Sequence, residues 1–252
     1  MAVNNLEPRS VILRNNFEVV PNVYALKRVG AGADGRVFRY GDKVLKILKY
    51  DINERKEKGL MTFDKAVYFQ EELDLKRIVA PIDILLDQDG VYTGYVMNYL
   101  DDVTSEKKIG TPIYKLPSDF TCGQLIYSSS ELEEDFSQLT EKKILARDLN
   151  RGSYIFTSDF MHLCDMDKYR MDCSRPGDLN KSALNFIISK FLFYQMLKTG
   201  DYNKEQVKIL NNWVKKSSND RAFVRKLNEE LKNDYRTSIG DFVEHKAKIL
   251  LR

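Results

Sequence analysis

The sequence is short of the residues on which most metal and redox chemistry depends. Its 252 residues include two histidines, His162 and His245, three cysteines and a single tryptophan. Two histidines leave no basis for a His-rich zinc site, or for a histidine pair beside a carboxylate. The cysteines, Cys122, Cys164 and Cys173, are odd in number and lack framework spacing, which argues against a disulfide-stapled secreted domain and for a reduced, cytoplasmic setting. An excess of one charge is missing too: 40 basic against 37 acidic side chains leave +3, and no basic cluster is interleaved with aromatics. A nucleic-acid partner is therefore not expected. There is no long hydrophobic run. The most apolar stretch, 186–197, is broken by Ser189 and Lys190 and is too short to span a bilayer. Residues 1–8 are polar and lack a signal-peptide pattern, so no membrane partner is expected.

Against these absences stands one dense motif. Gly30-Ala31-Gly32-Ala33-Asp34-Gly35-Arg36-Val37 is followed, nine residues after the valine, by Lys46 inside the apolar run 43–48. Glycines at such offsets let a backbone approach phosphate oxygens without side-chain obstruction. A glycine triplet alone is weak evidence, because dinucleotide-binding turns use similar spacing. The flanks decide. Residues 36–40 alternate like a strand rather than a helix, and Gly41-Asp42 turns the chain into the lysine strand.

The first 100 residues read as mainly β. Strands are expected at 17–20, 24–29, 36–40, 43–48, 78–86 and 91–100, the last two joined by an Asp87–Gly90 hairpin turn. Segment 49–59 reads as a loop or frayed helix, and 62–77 as a helix capped by Thr62. With 17–20 set aside as an extra edge segment, this gives a five-stranded sheet with one helix. After a boundary near residues 100–102 the pattern is mainly helical: a loop at 101–116, a helix within 118–139, a short hairpin within 146–167, then helices at 179–198, 204–216, 220–233 and 239–250. Trp213, with Ile209, Leu210 and Val214, reads as core. Cys164 reads as a small buried residue without a cationic activator, and Cys122 and Cys173 carry no readable role.

Taken together, these motifs resemble the protein-kinase-like superfamily over nearly the whole chain. The resemblance implies an α+β, bilobal fold: an N-lobe over 1–100 with a five-stranded antiparallel sheet and one helix, and a mainly helical C-lobe over 101–252. It implies that Gly30, Gly32 and Gly35 cover the phosphates, that Val37 packs on the adenine, and that Lys46 meets the α/β-phosphates. Met97 would be the gatekeeper, with the backbone of Asn98 and Leu100 on the adenine edge. Glu71 is the candidate partner of Lys46, with Glu72 the competitor. Leu145-Ala146-Arg147-Asp148-Leu149 resembles a catalytic loop in which Asp148 receives the proton of the attacking hydroxyl. Ser153 stands where a metal-binding asparagine is usual, and Ala146 where a histidine is usual. Asp165 would hold Mg²⁺, with Asp167 either a second ligand or a turn cap. Arg151 would be the one cation near the γ-phosphate.

The link from Asp165 to the next helix is short, as in aminoglycoside and choline phosphotransferases or other compact bacterial kinases, and shows no peptide-docking segment. The resemblance thus implies an ATP- and Mg²⁺-dependent kinase acting on a hydroxyl of a protein serine or threonine or of a small molecule. The substitutions at 146 and 153 keep open a pseudokinase, a nucleotide- or partner-binding regulatory module with little turnover.

Overall fold

The computed structural model describes residues 9–100, 120–149, 153–157 and 160–252. Within them the protein is α+β, with seven α-helices and an antiparallel sheet of seven strands in the order β2-β1-β6-β7-β5-β4-β3. The strands are β1 (Val11–Leu13), β2 (Val19–Val20), β3 (Arg28–Ala31), β4 (Gly35–Tyr40), β5 (Lys43–Leu48), β6 (Asp83–Leu86) and β7 (Tyr92–Asn98). A two-stranded ribbon, β8 (Tyr154–Phe156) with β9 (Met161–Leu163), lies apart from this sheet.

Seven strands replace the expected five because the chain before the glycine motif adds two. Val11 and Leu13 are fully buried, and β1 pairs with β6 through Ile12–Leu86 and Leu13–Leu85. With Val20, Val23, Phe38, Leu45, Ile47, Leu85 and Val96 they form a core on the second face of the sheet. The expected strand at 17–20 shrinks to Val19–Val20, since Phe17 is 78% exposed with φ 55°. Tyr24 lies in a 3-10 turn, Val23–Ala25, capped by Asn22.

Two helices, not one, separate β5 from β6. Asp51 caps α1 (Ile52–Glu57) by accepting from the amides of Asn53 and Glu54. Thr62 caps α2 (Phe63–Glu72), as its sequence suggests. α2 ends five residues before the expected 77 because the next amides find other acceptors. Gln138 takes the Asp74 amide, and the buried Asp135 carboxylate takes those of Lys76, Arg77 and Ile78 at 2.7–2.9 Å. Burial raises the Asp135 pKa against these three lowering bonds.

Asp135 belongs to α3 (Cys122–Glu141), whose Thr121 and Gln124 form a capping box. Of the remaining helices, α4 (Pro176–Met196) packs against α3, α5 (Lys204–Asn219) and α7 (Ile239–Leu250), while α6 (Arg221–Asn233) packs on α3 and α5. Trp213 is buried, edge-on to Phe223 at 5.6 Å. One continuous apolar core joins this helical layer to α2 and to the inner face of the sheet through Val44, Leu48, Tyr95 and Met97. No described helix is long and apolar enough to cross a membrane.

Candidate functional site

Alternation along β5 decides where its lysine goes. Val44 and Leu48 belong to the inner core and Leu45 and Ile47 to the outer, so Lys46 faces inward with the former pair. It is 7% exposed. A buried ammonium needs compensation, and two carboxylates supply it. Lys46 Nζ donates to Asp165 Oδ1 at 2.6 Å and stands 2.7 Å from Asp167 Oδ2 as an ion pair without hydrogen-bond geometry. Burial alone would lower the lysine pKa; Asp167 and then Asp165 outweigh it and hold the group above its ordinary range.

Asp167 is itself clamped. The hydroxyl of Tyr95, cross-strand neighbour of Lys46, donates to its Oδ1 at 2.6 Å, and Lys65 of α2 donates to its backbone carbonyl at 2.5 Å. Burial moves Lys65 down to about 8, partly offset by the Asp167 charge. Gly94 lets β7 approach here, since a Cβ would lie 2.0 Å from the Lys46 carbonyl oxygen.

Below the β3–β4 hairpin lies a cleft of about 500 Å³. Gly30, Gly32, Gly35, Val37, Lys46, Met97, Asn98 and Leu100 all line it, together with Asp148 and Asp165. Of the glycines, Gly35 has a steric need to be one: a Cβ would meet the Ile47 carbonyl at 2.6 Å, whereas at Gly32 it would meet open space. Asp148 and Asp165 both adopt positive φ, 59° and 74°, among only five described non-glycine residues that do. Such backbone is sparsely populated and gathers at functional sites.

Several expected site residues sit elsewhere. Glu71 does not meet Lys46. Its side chain is 59% exposed and stands 3.9 Å from Arg14, because α2 turns Lys65, not a glutamate, toward the buried cluster. Glu72 pairs with Lys142. Asp167 is not placed as a metal ligand: at 1% exposure its oxygens face Tyr95 and Lys46, and it does not line the cleft. Ser153 is also outside the lining, and its buried hydroxyl donates to the Asp148 carbonyl at 3.2 Å. Arg151 lies outside the described residues. Cys164 lines the cleft, with burial pushing its thiol up to about 12, so it is no nucleophile at neutral pH.

The sequence reading missed Lys168. Its ammonium donates to Asp148 Oδ2 at 2.7 Å and lies 3.6 Å from Asp34 Oδ2 at the hairpin tip. It thus joins the roof of the cleft to its floor. Its only signal in the sequence is position, three residues beyond Asp165. Tyr95 could have been found from strand alternation with Met97.

Chemically, the cleft offers a glycine-lined roof, an apolar back (Val37, Val44, Met97), two cations (Lys46, Lys168) and three carboxylates (Asp34, Asp148, Asp165). Among the described residues no cluster of three or more His, Cys, Asp or Glu is arranged to hold a metal on its own. In comparisons with known proteins, no family model matches the chain and no curated protein matches it significantly.

Proposed function

We propose that this protein is an ATP- and Mg²⁺-dependent phosphotransferase of the protein-kinase-like superfamily, transferring a γ-phosphate to an alcohol. The observation that carries the reading is the single cleft in which Lys46, Asp165 and Asp148 converge under the Gly30–Gly35 hairpin. Segments as far apart in sequence as Gly30–Val37, Met97–Leu100, Asp148 and Asp165 would not share one cavity by accident of core packing.

In this reading the adenine lies between Val37 and the Met97–Leu100 segment at the end of β7, and Lys46 neutralises the α/β-phosphates. Asp167 and Tyr95 hold the lysine in place, the role expected of Glu71. Lys168 supplies a second cation at the γ-phosphate end. Asp148 orients the acceptor hydroxyl and receives its proton. Mg²⁺ fits only together with the nucleotide: Asp165, its side chain 40% exposed and its Oδ1 accepting from Lys46, would be the ligand, and Mg²⁺ characteristically takes one or two carboxylates plus phosphate oxygens and water. When bound, the ion supplies charge neutralisation at the phosphates. The protein's own share is placement and a preorganised field.

One observation favours the alternative, a nucleotide-binding module with little turnover. The Ser153 hydroxyl is committed to the Asp148 carbonyl and points no donor set at the cleft.

Melting of the protein with ATP, with and without Mg²⁺, followed by labelled-ATP turnover, separates these readings. A phosphotransferase shows an ATP-dependent rise in melting temperature and phosphate transfer that Asp148→Ala abolishes. A rise without transfer supports the alternative. No rise in either condition refutes both.

A further inference from the structure

Among the described residues, a further large cavity shares Asp148 with the cleft. It has a volume of about 880 Å³, and Asp148 and Lys168 line both it and the nucleotide cleft. Its walls come from the end of α1, the loop into α2, and the segments flanking Asp148 and following Asp165. Six cationic side chains line it against three carboxylates. The whole chain carries only +3, so this cavity alone concentrates as much positive charge as the rest of the molecule leaves in balance.

Two of the six cations are occupied: Lys65 by the Asp167 carbonyl and Lys168 by Asp148. The other four, Lys56, Lys58, Arg147 and Arg170, make no ion pair among the described residues. The Lys58 ammonium rests over the Tyr50 ring at 3.6 Å. Thr62, the N-cap of α2, also lines the wall, so the positive end of that helix adds to the same field. A concave surface with four unpaired cations is where an anion gains most, because the walls focus the potential. The volume is that of a metabolite site rather than of an extended chain.

We infer that this cavity is the acceptor site and that the acceptor is a small alcohol bearing its own phosphate or carboxylate. The anionic group lies among Lys58, Arg147 and Arg170, and the hydroxyl reaches Asp148 where the two cavities meet. The hydroxyl oxygen then bonds to the γ-phosphorus as the bond from that phosphorus to the β–γ bridging oxygen breaks. The electron pair leaves on ADP, and the hydroxyl proton passes to Asp148. For the donor this rests on the phosphotransferase reading above; the anion site stands on its own lining.

The test uses the full chain and three matched probes, glycerol 3-phosphate, glycerate and glycerol, with choline as a cationic control. Binding is read by titration calorimetry in low salt, with ATP titrated separately. Glycerol 3-phosphate or glycerate should bind at least tenfold more tightly than glycerol or choline, and the difference between the two anions tells phosphate from carboxylate. Arg170→Ala, at an exposed position, should weaken the anion about tenfold, the loss expected of one charge-assisted hydrogen bond, and raised salt should weaken it further. ATP binding without any anion preference, or anion binding indifferent to Arg170→Ala and Arg147→Ala, overturns the inference while leaving the nucleotide reading intact. Anion binding with no ATP binding overturns the nucleotide reading and keeps the anion site. A preference for an acidic peptide over all small anions would assign the cavity to a protein partner and overturn the small-acceptor claim.

Discussion

Asp167 Oδ2 lies 2.7 Å from Lys46 Nζ in the interior, while Glu71 lies outside on the solvated face of α2. The carboxylate that steadies the strand lysine is thus supplied from the segment after β9, two residues beyond Asp165, and not from a helix.

The first prediction follows from burial. Asp167→Ala leaves the Lys46 ammonium with one partly exposed partner, and should cost about 3–5 kcal/mol in denaturant unfolding. Glu71→Ala removes a long, exposed contact and should change stability by less than about 0.5 kcal/mol. The reverse ranking would mean that the lysine is held from α2 after all.

Removing both charges tests whether the cluster is there for stability. Lys46→Met combined with Asp167→Leu should recover much of the loss seen in either single variant, since a buried pair can often be replaced by apolar side chains. ATP should no longer raise the melting temperature of the double variant. Strictly additive losses would show that the two side chains do not interact.

Asp135→Ala should destabilise by at least about 2 kcal/mol, because it strands the amides of Lys76, Arg77 and Ile78 without an acceptor. Asp135→Asn keeps one oxygen and should lose less. Hydrogen exchange at these three amides gives the direct readout: protection that survives Asp135→Ala would contradict the assignment.

His162 provides the pH test. It is buried, and burial, followed by repulsion from Arg77, lowers its pKa from 6.5 to about 4. The unfolded chain therefore binds more protons between those values, and the stability contributed above pH 6.5 is lost as pH falls toward 4, on the order of 3 kcal/mol. His162→Gln should flatten the melting-temperature profile between pH 6.5 and 4.5. An unchanged profile would place the acid transition on other groups.

Two glycines should part company. Gly94→Ala forces a methyl group onto the Lys46 carbonyl and should cost about 1–3 kcal/mol in denaturant unfolding, while Gly32→Ala meets open space and should leave stability unchanged. Equal effects in melting experiments would show that the β5–β7 approach is not tight.

Much of this was legible from local pattern. The last three helices lie close to their expected ranges because their caps are written locally: Asn203, Asp220 and Ser238 each accept first-turn amides. The cleft lining under the glycine hairpin was legible for the same reason, as strand alternation fixes which residues of β5 and β7 share a face. What sequence could not give was long-range. Nothing near Lys76 says that its amide belongs to Asp135, 59 residues away. Nothing in the spacing of Glu71 says that Asp167 lies nearer to Lys46. Of the two extra strands, β2 lies within the edge segment expected at 17–20, whereas β1 escaped because Val11–Leu13 is only three residues long and owes its place to pairing with β6, over 70 residues later.

The bridge from Asp34 through Lys168 to Asp148 has one more consequence. A single ammonium is shared by the hairpin tip and by the carboxylate standing between two cavities. Were anions to occupy both cavities, as proposed above, each would draw on the same ammonium, and binding of one would change the affinity for the other. By reciprocity the second alters the hold on the first to the same degree.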